Sequence, residues 1–85
     1  MISTGQTVVG LTPVVIDGTF NSEFHLTVHN QDNTDTVYLG NADVTIANGL
    51  GLEKGQFIQI EMKPGDFLHA VSSKAGHLIS WMKQV

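Results

Sequence analysis

Gly or Pro interrupts nearly every window of this 85-residue chain, and no segment of ten or more residues carries a clean 3.6-residue apolar period. A helix that packs against a core needs that period, so the core must be built from strands. The longest stretch free of both residues, Thr19–Leu39, alternates instead. Phe24, Leu26 and Val28 fall on one face, and Glu23, His25, Thr27 and His29 on the other. A period of two marks a half-buried strand.

The same grammar runs through the chain. The polar turn Asn30–Asp35 follows that strand, and Thr36–Leu39 reads as a second one. The pair is expected to form an antiparallel hairpin with a longer loop. Ala42–Ala47 is expected as a short strand ended by Asn48-Gly49, and Leu50–Gly55 as a loop tucking its leucines under the sheet. Phe57–Met62 alternates again, with Ile58, Ile60 and Met62 opposite Phe57, Gln59 and Glu61. Lys63-Pro64-Gly65-Asp66 is a tight turn before the strand Phe67–Ser72. Ser73–Gly76 turns the chain into the last strand, His77–Val85. Near the N-terminus, Gln6–Val9 and Val14–Asp17 read as strands around Gly10 and Pro13, a proline suited to an edge or an arm.

About seven short strands with turns between them predict an all-β fold, a small antiparallel β-sandwich or barrel. Residues 1–20 are expected to form an N-terminal arm with edge strands, and 21–85 the sandwich domain. The expected core is Phe24, Leu26, Val28, Val37, Leu39, Val44, Leu52, Ile58, Ile60, Leu68, Ala70 and either Leu78 or Ile79. Phe57 and Phe67 fall opposite apolar neighbours, so either both strand faces are covered or these rings are exposed contact groups. Phe20 and Trp81 are the other informative aromatics.

Charge narrows the partners. Four isolated lysines, no arginine and eight acids give a net charge of −4. Nucleic-acid binders need clustered cations to neutralise phosphates, and anionic membranes attract the same clusters. Neither partner is expected. No apolar run reaches the roughly 18–20 residues of a membrane span, and the first residues lack the basic and apolar regions of a secretory signal. With no cysteine there is no disulfide, thiolate metal site or cysteine nucleophile. A small domain without such staples gains stability by assembling with other chains.

Reactive constellations are weak. His25, His29, His69 and His77 are the candidate metal or acid–base groups. His25 and His29 lie about 13 Å apart along a strand, too far to share one zinc at about 2.1 Å per bond. The histidines are therefore expected at solvent-facing or interfacial strand positions. Asp32-Asn33-Thr34-Asp35 has closely spaced oxygens but lacks the glycine and terminal glutamate of a calcium loop. Ser72-Ser73-Lys74 has no nucleophile elbow, and the acids sit mostly in turns rather than as a paired glycosidase set. No catalytic residue, cofactor site or metal site is expected.

Taken in order, Val28–Gly40, Asp43-Val44-Thr45, Asn48-Gly49, Leu52–Gly55 and Lys63–Ser72 resemble a pattern of small tailed-bacteriophage virion proteins. There a strand ending in Asn leads through a polar turn to Val-Tyr-Leu/Ile-Gly, and a Pro-Gly-Asp turn opens a later strand. The resemblance covers residues 24–76 and departs at His69, where an aromatic is expected. It implies a non-enzymatic capsid decoration (cementing) protein on the virion surface, made in the host cytoplasm. It also implies a trimer bound to the major capsid protein lattice. The expected contacts are Val8, Val9, Leu11, Pro13, Leu50, Leu52, Phe57 and Trp81, with Met1–Pro13 dispensable to the fold. The alternative is a phage tail or appendage module binding a receptor or carbohydrate, with Tyr38, Trp81 and Asn41 stacking and bonding sugar.

Overall fold

The computed structural model describes residues 1–17, 23–31 and 34–84. Phe20 and the Asp32-Asn33 pair of the polar turn lie outside the described residues. The strands are β1 (Ile2–Val9), β2 (Val14–Asp17), β3 (Phe24–His29), β4 (Val37–Gly40), β5 (Leu50–Leu52), β6 (Phe57–Met62), β7 (Leu68–Ser72) and β8 (His77–Gln84). They form two antiparallel four-stranded sheets, ordered β1-β8-β3-β6 and β2-β7-β4-β5. The fold is an all-β sandwich, and its strand order is that of a jelly roll.

Each strand faces the core with alternate residues. In the first sheet these are Val9 of β1, Phe24, Leu26 and Val28 of β3, Ile58, Ile60 and Met62 of β6, and Ile79 of β8. The second sheet contributes Ile16, Val37, Leu39, Leu52, Leu68 and Ala70. Full burial of such side chains stabilises by about 1.5–3 kcal/mol each. Ile79, not Leu78, is the core residue of β8. Ile58 and Ile60 are partly buried against the core.

Several expectations are corrected. The segments expected as a hairpin do not pair: β3 bonds β6 and β8, whereas β4 bonds β5 and β7. Alternation shows which face of a strand is apolar but not which layer the strand joins, and β3 and β4 belong to different sheets. Ala42–Ala47 is not a strand but a series of turns. Local bonds displace a ladder there: the Asp43 amide donates to Asn41 Oδ1 (2.9 Å), the Thr45 amide to Asn48 Oδ1 (2.8 Å) and the Ala47 amide to Thr45 Oγ1 (3.2 Å). Short polar side chains offer the backbone such alternatives. The strand after this segment is β5, within the stretch expected as a loop.

Residues 1–17 supply the edge strands β1 and β2. Met1–Pro13 is not dispensable packing: β1 pairs with β8 from Ile2↔Gln84 to Val9↔His77, and Val9 is fully buried. Gly5 lets this strand lie close to β8, because a Cβ there would stand 2.5 Å from Trp81 Cζ2. Lys63-Pro64-Gly65-Asp66 forms the expected turn. The Asp66 amide donates to the Lys63 carbonyl (3.0 Å), and Gly65 takes a φ of 88° that glycine tolerates.

Candidate functional site

The most chemically loaded cluster is sealed inside the sandwich. Asn30 follows β3, Ser72 ends β7 and His77 opens β8, and all three are buried. Asn30 Nδ2 donates to the carbonyls of Asp35 (2.9 Å) and Leu52 (2.8 Å). Its Oδ1 must therefore be the atom facing His77 Nε2 at 2.7 Å, so Nε2 carries the proton. His77 Nδ1 is then the acceptor for the Ser72 hydroxyl at 2.9 Å. The Ser72 oxygen in turn accepts the Lys74 amide at 3.3 Å. The backbone of Asn30 is also paired, its amide to the Gln56 carbonyl (2.9 Å) and its carbonyl to the Gly55 amide (3.0 Å).

A hydroxyl, an imidazole and an amide in line resemble a nucleophile, its base and its orienter. The chemistry is blocked here, because no substrate atom reaches a serine that is 1% exposed. The trio instead ties the ends of both sheets together. A solvent-facing His77 is thus corrected. It shares the inward parity of Ile79 and Trp81, so burial was readable from its own strand.

The other histidines lie on outer faces. His25 is exposed and His29 half-buried on the first sheet, and His69 lies on the second beside Val15 and Gly40. His69 Nδ1 is enclosed with no hydrogen-bond partner among the described residues. No group of three His, Cys, Asp or Glu side chains converges as metal ligands among the described residues.

Exposed apolar groups lie on both outer faces: Ile2, Val8, Phe57 and Met82 on the first sheet, and Val15, Leu11 and Ile46 on the side of the second. The 41–49 segment folds back over the outer face of the second sheet and buries Val44 and Val71, outside the main core. Gly40 and Gly49 make room for it: a Cβ on either would lie 2.8 Å from Val44 Cγ2. Between this flap and the β1–β2 connection runs a groove of about 340 Å³. Val44 and Val71 line it together with exposed Leu11 (66%), Pro13 and Ile46 (53%).

The expected contact residues are thus sorted. Leu11 and Pro13 share the groove. Val8 (61%), Leu50 and Phe57 (71%) are exposed elsewhere. Val9 and Leu52 are buried core and are corrected as contacts. Trp81 faces inward, half-buried, with Nε1 donating to Thr7 Oγ1 at 3.3 Å. Phe57 and Phe67 are exposed rings, not a second covered layer. Ile46 was missed because Asp43–Ile46 alternates like a strand, and nothing in sequence brings it to Leu11. The sugar-binding trio is not assembled: Tyr38 is on the outside of the second sheet and Trp81 on the inside of the first. No protein-family model, characterised protein or solved structure matches this chain.

Proposed function

We propose that this protein is a structural component of a tailed-phage virion, a decoration protein that docks on the capsid lattice of major capsid protein and performs no chemistry. The observation that carries the reading is the groove of Leu11, Pro13 and Ile46, apolar and open on a chain with 14% charged residues. Its floor is Val44 packed closely against Gly40 and Gly49, and a preformed apolar groove loses little entropy when a partner fills it. The jelly-roll order adds support by analogy of fold alone, since that architecture recurs in viral capsid domains. Copies linked to one another and engaging a repeating shell together would gain avidity that a single groove lacks.

The test is co-sedimentation with capsids of the phage that encodes the chain. The native protein should pellet with capsids. Leu11→Asp and Ile46→Asp should each weaken binding about tenfold or more, as for a contact at the centre of an interface. Both positions are exposed, so folding should be retained. Failure of the native protein to bind, or unchanged binding by both variants, overturns the proposal.

A further inference from the structure

Four strand edges border the two sheets, and three are guarded. β2 has four residues, follows Pro13 and breaks register between Val15 and Asp17. β5 has three residues. β6 carries Glu61 and runs into Lys63-Pro64. Short length, proline, irregularity and charge are the means by which edges avoid pairing. β1 has none of them. Its eight residues, Ile-Ser-Thr-Gly-Gln-Thr-Val-Val, pair with β8 without a break and contain no charge and no proline. Among the described residues no other strand bonds it. Its outer row of amides and carbonyls is open for strand addition.

The order of residues names the occupant. About Gly5 the strand is a palindrome in chemical character: Ile2 matches Val8, Ser3 matches Thr7 and Thr4 matches Gln6. A two-fold interface places residue i opposite residue j and j opposite i, so a palindrome sets like beside like at every contact. We infer that β1 pairs antiparallel with β1 of a second copy, Gly5 opposite Gly5, joining the two first sheets into one. Ile2 (63% exposed) then covers Val8 of the partner subunit, and Thr4 faces Gln6 of the partner subunit, all on the outer face of the sheet. On the inner side Ser3 meets Thr7 of the partner subunit. Even-spaced residues share a face, so this register keeps apolar beside apolar and polar beside polar. It adds roughly six to eight backbone hydrogen bonds. The pair replaces the trimer that the family resemblance implies, and it does not depend on capsid docking.

Sedimentation equilibrium of the full chain without capsids, over roughly 1–300 micromolar, spans the range of a small interface. The expected result is a monomer–dimer equilibrium. Thr4→Lys with Gln6→Lys places like charges opposite each other twice across the axis and should weaken dimerisation about tenfold. Thr4→Lys with Gln6→Glu places opposite charges at the same contacts and should restore the dimer. Circular dichroism should show all three proteins folded, since both sites are exposed. A monomer at every concentration, a trimer, or a dimer indifferent to both double variants overturns the inference.

Discussion

Replacing Asn30 by Ala tests whether the buried trio holds the sandwich ends together. The change removes three side-chain hydrogen bonds at once: those to the Asp35 and Leu52 carbonyls and that from His77 Nε2. Two carbonyls and one imidazole N–H lose these bonds. A buried polar group that loses its partner costs about 1–3 kcal/mol. The bond to Asp35 is only part-buried, so water recovers some of that cost. The expected destabilisation is about 3–4 kcal/mol. A domain of this length has roughly 4–13 kcal/mol in total, so the loss is a large share. In urea, with a slope of about 1 kcal/mol per molar at this size, the midpoint should fall by about 3 M. Ser72→Ala provides the scale. It removes two neutral bonds, that to His77 Nδ1 and that from the Lys74 amide, and leaves every Asn30 contact in place, so about 1–2 kcal/mol is expected. The assay is equilibrium urea unfolding followed by Trp81 fluorescence and circular dichroism, with the slope compared among the three proteins. A loss below about 1 kcal/mol for Asn30→Ala at unchanged slope would refute the sealed network.

Two glycines chosen for space give further tests. Gly5→Ala pushes a Cβ to 2.5 Å from the Trp81 ring, and overpacking of this kind costs about 1–3 kcal/mol. A lowered melting temperature with shifted Trp81 emission is expected, and unchanged values would contradict the close approach of β1 to β8. Gly49→Ala drives a Cβ against Tyr38 Cβ (2.7 Å) and Val44 Cγ2 (2.8 Å), so it should lift the flap. Faster limited proteolysis within residues 41–49, with the main core melting little changed, is the expected readout.

Side-chain alternation alone makes the inward residues of β3, β6 and β7 legible in the sequence, because a period of two is fixed by strand geometry. The layer each strand joins is not legible there. β3 and β4 have matching patterns and a polar sequence between them, yet they belong to different sheets. Val44 illustrates the same limit from the other side. Its burial is expected from its pattern, but it is buried in a second, outer layer that depends on Gly40 and Gly49. The groove is half legible. Leu11 and Pro13 stand out as apolar residues around a turn, whereas Ile46 joins them only through the fold of the flap. The role of Gly5 requires knowing that Trp81 lies opposite it.

The trio's location explains why a small chain tolerates Asn30, Ser72 and His77 among its buried polar side chains. Each end of a sandwich must stop the two layers from sliding, and apolar contacts are non-directional. A hydrogen-bond chain from Ser72 through His77 and Asn30 to the Leu52 carbonyl fixes one relative position of β7, β8, β3 and β5. Slippage by one residue would strand all of these groups at once, so the network penalises wrong registers more than it stabilises the right one. That division leaves the outer surfaces free for association. The groove belongs to the outer face of the second sheet and the open edge to the first. A pair formed through β1 therefore carries two grooves. A rigid bivalent unit gains on a repeating surface only when its groove spacing matches the repeat. The charge-restored double variant should thus bind capsids like the native protein, while the like-charged variant should bind with the affinity of a single groove.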